Sequence, residues 1–279
     1  MTISETIKLR RSCRTYRDAP VEAGKRAELH TFLEANRATP FGSAVRFALV
    51  DLDDLDADAR RPLGTYGVIR GARLFIAGVV GAGPRAMEDF GFAMERNILA
   101  ATALGLGTCW LGGTFRRSGF AGRMNPGDGE LLPAITPVGY PGEARSLTDR
   151  FFRFSAGSDR RKEWHELFAD GDPETPLARE SAGAYATPLE CVRAAPSASN
   201  KQPWRIVRQG SAFHFFLART PGYDRMPKGI PLQNVDMGIA LCHFELAAAE
   251  RGLAGRWGIG DPGMSPGGRE YIASWTADG

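Results

Sequence analysis

Three absences narrow the chemistry open to this chain. Its cysteines, Cys13, Cys109, Cys191 and Cys242, stand far apart with no Cys-x-x-Cys spacing, and its four histidines do not cluster. Neither a zinc site nor a disulfide framework is expected; buried or free thiols in a reducing compartment fit better. No run approaches the roughly 18 consecutive apolar residues of a membrane-spanning helix. Neither charge sign dominates, because 35 basic residues face 32 acidic ones for a net charge of +3, which argues against a nucleic-acid binder. The opening Met1-Thr-Ile-Ser-Glu-Thr6 has no charged region followed by an apolar core, so no secretory leader is expected. What is there is a chain of 279 residues, 43% hydrophobic, able to bury one sizeable core or two smaller ones. The expectation is a cytoplasmic protein of mixed helices and strands, with neither membrane nor nucleic acid among its partners.

Along the chain, Thr2-Ile-Ser-Glu5 has the form of a capping box and predicts a short helix. Arg10-Arg-Ser-Cys-Arg14 follows. If extended, it points Arg10, Ser12 and Arg14 one way and Arg11 and Cys13 the other. Two guanidinium forks and a hydroxyl on one side would suit a phosphate dianion, and a solvated basic edge is the alternative. A helix is predicted over 21–37, a strand at Phe47–Val50, and a continuously apolar, central strand at Arg73–Val80. Met87–Leu104 predicts a long helix with Phe90, Ala93, Met94, Ala101 and Leu104 on one face, capped by Gly105 and Gly107. Ile135–Tyr140 predicts a short strand whose prolines suggest its ends or a sheet edge. An acidic loop at 51–58 reads as surface, and a charged, aromatic connector occupies 151–174.

In the second half, Thr187-Pro-Leu-Glu190 reads as another capping box that opens a helix to Ala195. The helix delivers Pro196-Ser-Ala-Ser-Asn-Lys-Gln-Pro-Trp204, a stiff polar turn rich in amides and hydroxyls, the chemistry that grips a polar heterocycle with a polyol tail. Strands are predicted at Trp204–Val207, Phe213–Leu217 and Tyr271–Trp275, with a second long helix at Val235–Arg251 capped by Gly252.

The two long helices repeat one another. Asp89–Gly113 lies on Asp236–Gly260 without a gap at an offset of 147 residues. Asp89 falls on Asp236, Gly91 on Gly238, Gly105 on Gly252, Trp110 on Trp257 and Gly113 on Gly260. Helical periodicity would align apolar positions but not an Asp, three Gly and a Trp. The expectation is two related halves, 1–150 and 175–279, fused so that one chain imitates a two-fold dimer. Arg96 and His243 occupy equivalent places, on what is expected to be a partly exposed helix face.

These residues resemble the nitroreductase-like FMN oxidoreductases. Arg10-Arg-Ser-Cys-Arg14 is similar to the family's Arg-Arg-Ser-x-Arg signature, and Pro196–Trp204 to its Pro-Ser-x-x-Asn-x-Gln-Pro-Trp loop. Leu104-Gly-Leu-Gly-Thr-Cys-Trp110, Val138-Gly-Tyr-Pro141 and Arg160-Arg-Lys162 resemble further family segments, in the family's order. The fused arrangement looks like the family's single-chain tandem branch. The resemblance implies an α+β fold of two half-domains with mostly antiparallel sheets and long central helices. It implies FMN, with Arg10, Arg11, Ser12 and Arg14 at the phosphate and Arg161 or Lys162 adding charge. Pro196, Ser197, Asn200 and Gln202 would meet the ribityl chain and pyrimidine edge, and the backbone of Leu111, Gly112 and Gly113 the ring. NAD(P)H would be the cosubstrate and a small organic molecule the acceptor, with the flavin rather than any side chain carrying the chemistry. The first half keeps the basic motif, but its loop Ala38-Thr-Pro-Phe-Gly-Ser43 lacks the Asn, Gln and Trp; the second keeps the loop, but Glu180–Tyr185 has no arginine. Such complementary loss implies one FMN per chain and a monomer acting as an internal pseudo-dimer. A flavin binder without turnover, a flavin-processing protein and a flavin-free scaffold are the competing readings.

Overall fold

The computed structural model describes residues 1–54, 64–142, 160–223, 229–265 and 267–278. Residues 55–58 of the acidic loop and 151–159 of the connector lie outside them. Two compact units emerge, one of Leu9–Ala156 and one of Met1–Lys8 with Gly157–Gly279. The eight N-terminal residues thus belong with the C-terminal half. They form most of helix α1 (Ile3–Leu9), whose capping box is made in full: Thr2 N–H donates to Glu5 Oε2 at 2.8 Å and Glu5 N–H to Thr2 Oγ1 at 3.2 Å. The same helix start is tied to Glu250, which accepts from the N–H groups of Ile3 and Ser4 and from the Ser4 hydroxyl.

The Leu9–Ala156 unit contains α2 (Ala23–Ala35), β1 (Val45–Asp51), β2 (Leu74–Val80), α3 (Ala86–Ala103), β3 (Gly107–Thr108), α4 (Arg117–Met124) and β4 (Ile135–Gly139). Its sheet runs β1-β2-β4-β3, antiparallel throughout. As its apolar run implies, β2 is internal and buried at every position. β4 is internal too, not an edge. Ile135 exchanges backbone hydrogen bonds with Leu111, so the nitrogen of Pro137, two residues on, faces the same side. There the pairing is interrupted: Cys109 N–H turns to the Thr136 hydroxyl at 3.0 Å, and a proline costs no ladder bond. Phe75, Phe115, Phe120, Leu111 and Ile135 fill the core beside the sheet. Helix α3 does not show the single apolar face expected of it; it is buried nearly all round, Glu88, Asp89, Glu95 and Asn97 included.

The other unit continues with α5 (Trp164–Leu167), β5 (Phe168–Asp170), α6 (Ala186–Ala194), β6 (Trp204–Gln209), β7 (Ala212–Leu217), α7 (Leu232–Glu250), β8 (Gly255–Gly258) and β9 (Glu270–Ala277). Its sheet runs β5-β6-β7-β9-β8, with β5 parallel to β6 and the remaining pairs antiparallel. Phe213, Phe215, Phe244, Trp257 and Trp275 form a linked aromatic cluster between this sheet and α7. The capping box read at Thr187–Glu190 is absent. A 3-10 turn over Glu180–Tyr185, bent at Gly183, runs into a helix that has begun by Ala186, leaving Thr187 inside it. His243 is fully buried, its ring nitrogen 2.9 Å from the Cys191 carbonyl, in place of the partly exposed position expected.

The two long helices end alike. In α3 Gly105 N–H donates to Thr102 O at 2.9 Å and Leu106 N–H to Ala101 O at 3.0 Å; in α7 Gly252 N–H donates to Ala249 O at 3.0 Å and Leu253 N–H to Ala248 O at 2.9 Å. Both glycines are left-handed, with φ +77° and +70°.

Candidate functional site

The basic motif runs beside β3. Ser12 bridges Thr108 in parallel register, and Cys13 N–H donates to Thr108 O at 2.8 Å. Gly107 lets the strands come this close, because a Cβ there would stand 2.9 Å from Cys13 Cβ. Arg10, Arg11, Ser12 and Arg14 lie close together. All four line one open cavity of 380 Å³, with Thr102, Gly105–Gly107 and Pro141–Gly142 on its other side. Arg10 is also turned inward and buried, its Nε 3.8 Å from Glu95 Oε1. Burial pulls its guanidinium below the usual value, and Glu95 opposes that. Glu95 also accepts the Trp110 indole N–H at 2.7 Å. Arg11, Ser12 and Arg14 are half-buried or exposed. A cavity walled by arginines and a hydroxyl has the donor set that a phosphate dianion requires.

Further along the same unit, Leu111 is paired to Ile135, and the Gly112 carbonyl accepts from Arg117 Nη2 at 2.7 Å. Arg117 also donates to Leu132 O at 2.8 Å and Pro133 O at 2.9 Å, and its guanidinium lies 4.8 Å from the Phe115 ring centroid. Burial lowers its pKa. Because the peptide is trans, pinning the Gly112 carbonyl toward Arg117 turns the Gly113 N–H the opposite way. Gly113 is exposed, and a Cβ built on it meets nothing within 4 Å. Cys109 is buried in the apolar core.

The Pro196–Trp204 loop lies in the other unit and is heavily cross-tied. Ser199, Asn200 and Gln202 all adopt left-handed backbone, φ 48°, 53° and 48°. Asn200 N–H donates to Ser197 O at 2.9 Å and Gln202 N–H to Ser197 Oγ at 2.8 Å. The loop's amide side chains hold the basic segment. Arg161 Nη1 donates to Asn200 Oδ1 at 3.1 Å, Asn200 Nδ2 to Arg160 O at 2.8 Å, and Lys162 N–H to Gln202 Oε1 at 2.8 Å. Burial, then Arg205, draws the Lys162 ammonium below its usual value. Trp204 is fully buried as the first residue of β6, in the core.

Each long helix sends an aspartate to the loop that precedes it. Asp89 accepts Phe41 N–H at 2.9 Å on one oxygen and Ser43 N–H at 2.8 Å on the other. Burial raises its pKa, and those bonds pull it back. Asp236 accepts Ala198 N–H at 2.9 Å on Oδ1, while Oδ2 is buried with no hydrogen-bond partner among the described residues. Burial pushes Asp236 up to about 8. Thus Arg10, Arg11, Ser12 and Arg14 come together in one unit, and Arg161, Lys162, Ser197, Asn200 and Gln202 in the other. Sequence reasoning did not find Glu95 or Arg117 and noted Asp236 only as a repeated position. The one sign was that repeat, an aspartate kept at the same place in two long helices.

The sequence matches the family model described as "Putative TM nitroreductase" over residues 2–248. Among solved structures, a "putative nitroreductase" from Thermotoga maritima MSB8 is 19% identical with a TM-score of 0.60, covering 99% of this chain and 94% of its own, a likeness of fold. A nitroreductase with bound FMN from Bacteroides fragilis NCTC 9343 is 21% identical with a TM-score of 0.39, over 52% of this chain and 91% of its own. An FMN-dependent nitroreductase from Clostridium difficile R20291 is 23% identical with a TM-score of 0.41, over 50% of this chain and 88% of its own. No curated protein matches the chain. Among the described residues no helix is long and apolar enough to cross a membrane. With the match running through both long helices and both signature segments, the chain belongs to the nitroreductase family that this model describes.

Proposed function

We propose that the chain is an FMN-dependent oxidoreductase that takes reducing equivalents from NAD(P)H and, in a separate half-reaction, passes them to a small organic acceptor such as a nitroaromatic or quinone. The observation that carries this reading is the arginine-walled cavity beside Gly105–Gly107, whose donor set fits a phosphate. Arg11, Ser12 and Arg14 are proposed to hold that phosphate, with Arg10 contributing charge from behind. Arg161 and Lys162 add positive charge; Pro196, Ser197, Asn200 and Gln202 are proposed for the ribityl chain and pyrimidine edge. The backbone of Leu111, Gly112 and Gly113 is proposed for the ring, with the outward Gly113 N–H as a donor. Bound FMN supplies the redox chemistry; the residues named bind, orient and shield it. Because each signature segment occurs once, one FMN per chain is proposed.

A second reading has support of its own. The side chains of Asn200 and Gln202 are already engaged by residues 160–162, and Arg10 by Glu95. A loop so occupied suits a scaffold without flavin. Spectroscopy separates the readings. An oxidoreductase is yellow, takes up about one FMN per chain and bleaches when NADH or NADPH is added under anaerobic conditions. Yellow protein that does not bleach is a binder, and protein that cannot be loaded with FMN removes both flavin readings. Arg14→Ala is expected to raise the Kd for FMN by about tenfold or more, the loss of a charge-assisted phosphate contact. An unchanged Kd would remove Arg14 from the site.

A further inference from the structure

We propose that Asp236 is the positioning residue of the Pro196–Trp204 loop, its buried carboxyl fixing the loop's left-handed conformation through Ala198. The hold on the loop stands on geometry alone; its consequence for flavin affinity rests on the reading above.

Three non-glycine residues at positive φ within four positions cost about 1 kcal/mol or more each and persist only if their surroundings impose them. Two of the restraints come from Ser197, itself in the loop, three from residues 160–162 through the Asn200 and Gln202 side chains, and one from Tyr223, whose hydroxyl donates to Ser199 Oγ at 3.0 Å. Asp236 is different because it sits on α7, the long helix of the unit's core, and grips Ala198, the residue just before the left-handed run. The matching aspartate shows what a fully matched carboxylate looks like. Asp89 receives an N–H on each oxygen, and the only left-handed residue in its loop is a glycine, Gly42. Asp236 receives one N–H, and its second, buried oxygen has no hydrogen-bond partner among the described residues. A carboxylate so placed is poorly solvated, so the closed loop favours the neutral acid. Burial accordingly lifts Asp236 to about 8. Among the described residues, the titratable group facing it is the Tyr223 phenol, itself raised by burial.

The sign follows from linkage. Opening the loop exposes Asp236 to water, where it ionises near its ordinary value. Support for the closed loop is therefore complete below that value, is lost as pH rises, and levels off above about 8. The experiment is amide hydrogen exchange across residues 198–202 in the full-length protein without flavin, as protection factors corrected for intrinsic exchange. Wild-type protection is expected to fall by about tenfold or more between about pH 5.5 and about pH 8. Asp236→Asn, which still offers an oxygen to Ala198 N–H but cannot ionise, should keep the protection and lose the pH dependence. Asp236→Ala should be about tenfold less protected than wild type at about pH 5.5 and should not change with pH. Wild-type protection that ignores pH, or an alanine variant as protected as wild type at about pH 5.5, overturns the proposal. FMN titration is read separately, with the alanine variant expected to bind at least about tenfold more weakly. Exchange as expected with no FMN uptake would retire the flavin reading and uphold the role of Asp236; FMN uptake with flat exchange would do the reverse.

Discussion

Glu95 is the acceptor on which two donors from the site's edge converge, the Arg10 guanidinium and the Trp110 indole. Replacing it by alanine leaves a buried cation and a part-buried N–H unmatched, so Glu95→Ala is expected to lower stability by about 3–5 kcal/mol, seen as a lower urea midpoint at constant m-value. Adding Arg10→Met should return part of that loss, because a charge without a partner costs more than no charge. A loss below about 1 kcal/mol would show that water reaches the pair. At this scale the sequence conveyed residue types well and destinations poorly. Strand alternation gave Arg10 a side but not a neighbour, since Glu95 is brought to it by a helix far along the chain. Asn200 in left-handed backbone was within reach, because Asn tolerates that region; Ser199 and Gln202 there were not, because only surrounding restraints hold them.

The helix ends carry the next test. Gly105 and Gly252 close α3 and α7 with the same pair of backbone bonds and nearly the same φ. Gly105→Ala and Gly252→Ala are therefore each expected to cost about 1 kcal/mol, equal within error, by urea denaturation. A large inequality would mean that the two caps differ in their burdens. These helices were legible because a long apolar run ending in glycine has few other meanings. Three strands were not. β3, β5 and β8 hold two, three and four residues, too few to show a period of two. Proline misled at β4, since an edge is the usual refuge for a missing N–H, and here a gap inside the sheet serves instead.

On the scale of the molecule, nothing in the repeat indicates which unit owns the N-terminus. Met1–Lys8 packs with Gly157–Gly279, tied through Glu250. For the Glu250 carboxyl, burial acts upward but is outweighed by the Ser4 hydroxyl and the N–H groups of Ser4 and Ile3, which hold it below the usual range. The tie is thus present above that range and is lost as pH falls through the lowered value. Removing residues 2–8 is expected to raise amide exchange around Glu250 while leaving that of β1, β2 and β4 unchanged; the reverse pattern would contradict the division into units. Capping chemistry announced α1 in the sequence, but no local pattern could announce its partner 246 residues away.

That separation bears on the order of events during synthesis. Leu9–Ala156 is one continuous stretch and can complete its core as soon as it leaves the ribosome. The segment before it emerges first, yet Glu250 is made only near the end. α1 is therefore a late clasp: first made, last seated, and a natural place for a chaperone or a protease to meet a nascent chain whose first half is already folded.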